Sequence, residues 1–439
     1  MDADRARASL TVARQLGERD SGRPIPYHYV TCWYIAGMEI TGIDAVTVDG
    51  NFLWPLIRVE TDAGIHGIGE VRDHGKPNPT DRHSEVAYLD RPDELALQLE
   101  RHLIGKDPRN IVRRFEDIRR YGGWGRMGGG VSAIEMALFD LVGKDLGVPA
   151  WQLLGGNYRD EVRVYVDCRA GNPVADSAVD YGIEENDYSP EAYAEHAAQR
   201  EAEGFDFVKF DLAPQAAEGV TGEVGVRGTH LTAAGLAYLE DVVSSIRSAI
   251  SPDTDLGFDC ASVRNVQPAD VRRLGQVLDA YDVSAYEDAR PDRDVAGWEK
   301  LTDAIETPTI TGEDLYTLDG FRELIRREAV DLVGPDLLTA GGIRETVRIG
   351  DFANQHGIAA NLHFAGSPVG FMASLHAAAA IPDVLALEFH AIGVPWWEDL
   401  VEEDELFKNG YATVPDRPGL GVTLDHAMIE EHSVNGKSF

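Results

Sequence analysis

Between Phe207 and Glu388 short apolar runs alternate with longer segments in which apolar residues recur every three or four positions. The short runs read as buried strands and the longer segments, 295–304, 318–328, 343–356 and 371–380, as helices. Each short run closes on, or is followed by, one polar residue: Lys209 in Phe-Val-Lys-Phe-Asp, Asp259 after Leu-Gly-Phe, Glu287 after Val-Ser-Ala-Tyr, Glu313 after Thr-Ile-Thr-Gly, Asp336 after Asp-Leu-Val-Gly-Pro, His363 after Ala-Ala-Asn-Leu and Glu388 after Val-Leu-Ala-Leu. From Asp259 onward the intervals are 28, 26, 23, 27 and 25 residues. A strand, a loop and a returning helix together take roughly 25 to 30 residues. Each polar residue therefore falls at the C-terminal end of a strand in a repeated strand–helix array. If the array closes into a barrel, all of them point into one mouth, where parallel barrels carry out their chemistry. Unrelated surface acids would not keep that regularity.

Upstream the period changes. Residues 39–70 alternate apolar and polar side chains around a turn signal at 62–64, which predicts antiparallel strands and a hairpin. Residues 83–122 read as helices, so a small α+β domain precedes the array. The glycine triplet at 128–130 leads into an amphipathic helix over 131–146. It lacks both a preceding strand and a Gly-Lys-Ser/Thr sequence, so it is a hinge or a helix start and not a phosphate loop. The first array strand is expected at 162–167. Three stretches lack any period: 72–88, an exposed loop and candidate lid; 170–190, on the mouth side; and 213–231. His66, His74 and His83 share no metal-ligand spacing. The expected divisions are a polar, irregular arm over 1–35, an α+β capping domain over 36–155, a barrel over 156–390, and a segment 391–439 that returns to complete the cap.

At 439 residues the chain is too long for one ordinary core. No run of eighteen apolar residues occurs, and the N-terminus is charged from Asp2 with no apolar segment, so neither a membrane span nor a secretory signal is expected. Cys32, Cys168 and Cys260 are odd in number and widely spaced, which indicates no disulfide framework or zinc knuckle and suits a reducing cytoplasm. The balance of 40 basic against 75 acidic residues gives a net charge of −35. Such a field repels nucleic acid. The acids are spread along the chain, as expected of a solvated surface in a protein from a halophilic source, where high salt screens self-repulsion.

The sequence Ser132-Ala-Ile-Glu-Met-Ala-Leu-Phe-Asp140, followed by Leu153-Leu-Gly-Gly156, resembles the start of the barrel in the mandelate racemase branch of the enolase superfamily. So do Pro335-Asp-Leu with Gly341-Gly342-Ile, and Leu362-His-Phe-Ala-Gly-Ser-Pro368. The resemblance spans about 39–423. Val48-Asp-Gly-Asn-Phe52, Val208-Lys-Phe-Asp-Leu212, Trp396-Trp-Glu-Asp-Leu-Val-Glu-Glu-Asp404 and Pro418-Gly-Leu-Gly-Val-Thr-Leu424 look closer still to archaeal sugar-acid dehydratases of the xylonate and gluconate type.

The resemblance implies an α/β fold, a modified TIM barrel of (β/α)7β type under an α+β cap, and a homo-oligomer. It implies that Asp259, Glu287 and Glu313 hold one Mg2+, whose octahedral preference for oxygen ligands suits three carboxylates. His363 and Asp336 match the base and its orienting acid. Lys209 matches the first lysine of a Lys-x-Lys pair, but Asp211 stands where the second, opposite-face base is found. That favours elimination from one face over racemisation, with Lys209 holding the substrate carboxylate. Glu388 matches an acid that hydrogen-bonds the same oxygen when protonated. Phe52, Trp54, His390 and Trp396 are candidate substrate contacts. Dehydratases of this type carry a histidine two residues after the first metal ligand; here the run is Asp259-Cys260-Ala261-Ser262. His363, His390, Ser262 or Tyr286 would then have to protonate the leaving hydroxyl. The expected activity is a sugar-acid dehydratase forming a 2-keto-3-deoxy acid. The alternatives are a racemase or epimerase of a hydroxy acid, and an inactive sugar-acid binder.

Overall fold

The computed structural model describes residues 9–13, 29–33, 37–72, 94–169 and 187–439. Eight parallel strands pair in sequence order: Glu161–Cys168, Phe207–Asp211, Asp255–Asp259, Ala285–Glu287, Thr309–Thr311, Leu332–Val333, Ala359–Leu362 and Val384–Phe389. The last closes on the first, with Leu387, Glu388 and Phe389 opposite Val164, Tyr165 and Val166. Among the described residues seven principal helices return the chain from strand to strand: Pro190–Ala202, Ala233–Ala249, Pro268–Leu278, Val295–Thr302, Thr317–Arg326, Ile343–Asn354 and Pro368–Ala380. This is the (β/α)7β barrel that the periodicity and the resemblance predict. Several helices begin where the sequence supplies a cap. Ser189 and Thr232 accept hydrogen bonds from Ala192 N and Gly235 N, and Pro190 and Pro368 occupy first-turn positions that need no N–H donor.

The strands are short and apolar because both faces are covered. Tyr165 and Phe207 stack inside the barrel with ring centroids 4.9 Å apart and, with Ala386, form a cluster apart from the main core. The polar residues sit above this plug, at the strands' C-terminal ends.

The cap is an antiparallel sheet of Ile40–Asp49, Leu53–Thr61 and His66–Glu70. Its second turn closes through Gly64 N to Thr61 O at 3.1 Å, with Gly64 at φ +71°, as the turn signal at 62–64 predicts. The helix Gly129–Leu146 is apolar around most of its circumference and buried between sheet and barrel. A Cβ at Gly67 would lie 1.9 Å from Ala137 O, so this glycine lets the third cap strand lie directly on the helix. The glycines at 128–130 are a helix start.

Three buried cap carboxylates accept from backbone N–H groups; Glu70 and Glu135 tie cap to barrel, while Asp140 ties the cap helix to the cap sheet and the C-terminal segment and pairs with Lys144 at 2.6 Å. Glu70 accepts from Ser367 N, Ser367 Oγ and Gly370 N at 2.6–2.9 Å. Glu135 accepts from Ile343 N and Arg344 N, and Asp140 from Ile68 N and Leu420 N. The donors to Glu70 and Glu135 lie at the N-termini of barrel helices, where they would otherwise lack a partner. The C-terminal segment returns to the cap: Ser433 bridges Val48 and Val434 N donates to Thr47 O.

Two expectations of irregular chain are corrected. Ser9–Ala13 pairs antiparallel with Tyr29–Trp33 within the expected arm. Stretch 213–231 contains the helix Ala217–Thr221 and a ribbon of Val226–Arg227 with His230–Leu231, closed by Gly225, whose carbonyl accepts from Thr232 N. The candidate lid at 72–88 lies, apart from Arg72, outside the described residues, as does most of the loop at 170–190. No described helix is long and apolar enough to cross a membrane.

Candidate active site

The register of the barrel decides which side chains meet. Asp211 is opposite Asp259, and Asp259 is opposite Glu287. Glu287 is opposite Ile310, three residues before Glu313, and Asp336 forms a bridge with His363. Gly312, at φ +137°, aims Glu313; a Cβ there would lie 2.4 Å from the Phe321 ring. Lys209, Asp259, Glu287, Glu313, Asp336, His363 and Glu388 thus share one mouth.

Lys209 is buried and places its Nζ 2.7 Å from Glu287 Oε2 and 2.7 Å from Glu388 Oε1. Glu388 Oε2 in turn accepts from Tyr165 OH at 3.0 Å and Phe364 N at 3.1 Å. Burial alone would lower the lysine's pKa, but Glu287 and Glu388 outweigh it and hold the ammonium well above its ordinary range. This cation is charged at any working pH.

His363 Nδ1 is 2.8 Å from Asp336 Oδ2, and its Nε2 is 3.0 Å from Glu313 Oε2 and 3.8 Å from Glu388 Oε2. Asp336 is itself fixed by Leu338 N, which donates to Oδ1 at 2.7 Å. Burial works against a charged imidazole here, yet Glu313, Glu388 and the Asp336 hydrogen bond raise its pKa well above the ordinary value. A residue not predicted from sequence, Arg72, enters from the cap. It donates to Glu313 O and Thr339 Oγ1 at 2.6 Å and stands 3.3 Å from Asp314 and 3.7 Å from both Glu313 Oε1 and Asp336 Oδ2. Arg72 follows two residues after Glu70, so the same strand end that caps the 368–380 helix delivers the guanidinium to the dyad. Asp288 is paired with Arg264 and accepts from Thr311 Oγ1, and Asp314 faces Arg72.

A second imidazole–carboxylate pair stands beside the first. His390 Nε2 lies 2.9 Å from Asp167 Oδ2, both side chains nearly buried. Phe52 packs its ring 5.3 Å from the His390 ring, and Asn51 Nδ2 donates to His390 O at 2.8 Å. Asp211 is held by Arg169 at 2.9 Å; burial, with Asp167 and Asp259 nearby, pushes its pKa up to about 7 against the pull of Arg169. Trp54 is fully buried and packs edge-on to Trp396, 6.0 Å away, and Trp396 stacks on His432. These two tryptophans lie in a packed layer between cap and C-terminal segment, whereas Phe52 and His390 lie together at the end of the eighth strand.

Among the described residues no three His, Cys, Asp or Glu side chains form a ready-made metal site. The oxygens of Glu287 and Glu313 are turned to Lys209 and His363. The donor set nevertheless suits a hard divalent cation. Asp259, Glu287 and Glu313 are all-oxygen ligands on consecutive strands. Burial, with Asp259 and Glu388 close by, pushes Glu287 up to about 8 despite Lys209, and burial with Glu313 raises Asp259. Glu313 differs: despite burial, His363 and Arg72 hold it well below the carboxylate range.

Comparisons with known proteins identify the family. A family model described as the mandelate racemase/muconate lactonizing enzyme N-terminal domain matches residues 45–155, and one described as enolase C-terminal domain-like matches 192–428. The chain belongs to the mandelate racemase/muconate lactonizing branch of the enolase superfamily, and it is a hydro-lyase. A D-xylonate dehydratase of Haloferax volcanii is 37% identical over 406 residues, 91% of this chain and 90% of that one. A D-galactonate dehydratase family member of Pseudarthrobacter chlorophenolicus is 28% identical over 88% of this chain and 93% of its own. Among solved structures, a mandelate racemase/muconate lactonizing enzyme-like protein of Rubrobacter xylanophilus aligns with a TM-score of 0.79 and 29% identity, covering 92% of this chain and all of that one.

Proposed function

We propose that the protein is a Mg2+-dependent sugar-acid dehydratase that converts an aldonate to its 2-keto-3-deoxy acid. One observation carries the reading: a base, His363 held by Asp336 at 2.8 Å, stands beside three carboxylates on consecutive strand ends, while the position that would hold an opposite-face base is Asp211, engaged by Arg169. The names of the relatives support the substrate class. Asp259, Glu287 and Glu313 would hold the Mg2+, which supplies positive charge that acidifies the α-carbon of a bound carboxylate. Lys209 holds a carboxylate oxygen and the negative charge that grows there when the α-proton leaves. Nδ1 of His363 is engaged by Asp336, so Nε2 takes the proton. Arg72 and Leu338 N keep the Asp336 carboxylate in place.

The test is a product assay over a stereochemically complete panel of pentonates, hexonates and deoxy-hexonates, in molar KCl with Mg2+ and then with EDTA. A 2-keto acid trapped as its semicarbazone from at least one acid, and abolished by EDTA, is expected. Silence across the panel from folded protein would overturn the reading.

A further inference from the structure

We propose that His390, held by Asp167, is the acid that protonates the departing hydroxyl, so that the mouth carries two histidine–aspartate pairs with opposite tasks; this rests on the dehydratase reading above. Expulsion of a hydroxide from carbon is slow unless a proton is delivered to it. The run Asp259-Cys260-Ala261-Ser262 carries no imidazole to do so. Two nearby hydroxyls are committed elsewhere. Ser262 Oγ donates to Leu212 O, and Tyr286 OH donates at 3.0 Å to Val271 O on the outer helix Pro268–Leu278. His390 carries an imidazole at the mouth. Its Nε2 is set 2.9 Å from Asp167 Oδ2, its ring is packed against Phe52, and its carbonyl is tied to Asn51.

Placement supports separate tasks. Strands seven, eight and one are neighbours around the barrel, with Leu362 opposite Leu387 and Phe389 opposite Val166. His363 follows Leu362 and Asp167 follows Val166, so the first pair spans the ends of strands six and seven and the second the ends of strands eight and one. Glu388, two residues before His390 on the eighth strand, lies within 3.8 Å of His363 Nε2 and 2.7 Å of Lys209. A substrate whose carboxylate rests at Lys209 would have His363 on the seventh-strand side and His390 at the end of the eighth strand itself. Asp167 also meets the electrostatic need of an acid's partner. Burial alone would raise its pKa, but His390, Lys209 and Arg169 hold it well below the carboxylate range, so an anion faces the imidazole.

The step balances within the substrate and the two pairs. His363 Nε2 takes the α-proton, and the electron pair of that C–H bond moves into the carboxylate to give the enediolate. When the enediolate collapses, the pair forms the C2–C3 double bond and the C3–O bond breaks. His390 passes a proton from its other ring nitrogen, Nδ1, to the leaving oxygen, which departs as water. The enol product ketonises, and solvent reprotonates His390 as His363 gives up its proton.

The experiment compares the parent enzyme with His390→Gln and Asp167→Asn, each with Mg2+. The substrates are an aldonate that the parent dehydrates and the same aldonate bearing fluorine in place of the β-hydroxyl. Fluoride leaves without needing to be protonated first. For His390→Gln, water loss is expected to fall about 10²- to 10³-fold. Fluoride release and α-deuterium exchange in D2O are expected to stay within a few-fold of the parent. Asp167→Asn should show the same split, less severely. An equal fall in water loss and fluoride release in both variants would make the pair structural and overturn the proposal, as would undiminished water loss. If the parent turns over no aldonate and exchanges no α-proton, the dehydratase reading itself fails, and this proposal with it. Failure of the acid alone is recognised by a parent that is fully active.

Discussion

At the joint between cap and barrel, Glu70 and Glu135 are surrounded by backbone N–H groups. At the mouth, Asp259, Glu287 and Glu313 are surrounded by one another and by cationic side chains. Both sets are buried carboxylates, and both lie at the ends of regular elements. The difference is in what a substitution would leave behind. A joint carboxylate completes helix termini, so removing it exposes several donors to an apolar surrounding. A mouth carboxylate stands among like charges as well as cations, so removing one relieves repulsion along with an ion pair and costs function instead. Carboxylates packed on dipoles hold a structure together; carboxylates packed on each other and on cations are set for chemistry.

The sharpest way to break this contrast is at the base. His363→Asn should lower kcat about 10⁴-fold, close to 5 kcal/mol of transition-state stabilisation. Some loss of melting temperature is expected beside it, because the variant also removes a cation from among Asp336, Glu313 and Glu388, so folding is checked separately. A variant with near-parent turnover would sink the assignment of His363. The next largest effect lies at the joint. Glu70→Ala strands Ser367 N, Gly370 N and the Ser367 hydroxyl, and should cost about 3 kcal/mol or more in unfolding free energy. Mg2+ affinity measured by calorimetry at folded temperatures should change little. A mild loss of stability with a large loss of metal affinity would reverse the proposed division of labour.

Arg72 belongs to both regions, being delivered by the joint and used at the mouth. Arg72→Lys should lower kcat by about 30-fold with KM little changed, since an ammonium cannot span Asp336, Glu313 and Thr339 as a planar guanidinium does. Steady-state kinetics on the parent's substrate measures this. A rise in KM alone would place Arg72 on the substrate and not on the dyad.

How far these residues were legible in the sequence follows from how each reaches the mouth. The barrel imposes one polar position per strand–helix unit, so Asp259 through Glu388 could be read from spacing, and Lys209 from the apolar run that holds it. The helices at 295–304, 318–328, 343–356 and 371–380 were legible for the same reason, and each observed helix matches to within a few residues. Asp167 is the last residue but one of the first barrel strand and obeys the same rule, yet its partner His390 lies 223 residues away, and only closure of the eighth strand on the first brings them together. Arg72 has no such signal. It comes from a cap strand and meets the dyad only because Glu70 docks that strand on the helix following His363. Trp54 and Trp396 were marked by motif resemblance, which does not distinguish a ring that meets substrate from one that packs cap against C-terminal segment.

The smallest effect tests whether joint carboxylates are in fact ionised. Burial pushes Glu135 up to about 8, against the pull of the Arg344 and Ile343 N–H groups, from an ordinary value of 4.5. In the unfolded chain the proton leaves near the ordinary value; in the folded protein it stays until about pH 8. Between those limits the unfolded state binds fewer protons, so the parent loses stability as pH rises through the window, by at most about 1.4 kcal/mol per pH unit. Glu135→Gln has no proton to lose there. The unfolding free energy of the variant minus that of the parent should therefore climb from pH 5 to pH 8 and level off above it, measured by urea titration at each pH. A flat difference would mean that the two N–H groups outweigh burial and that Glu135 is an anion. That outcome would make the contrast with the mouth complete, because Glu135 would then hold its charge against backbone N–H groups.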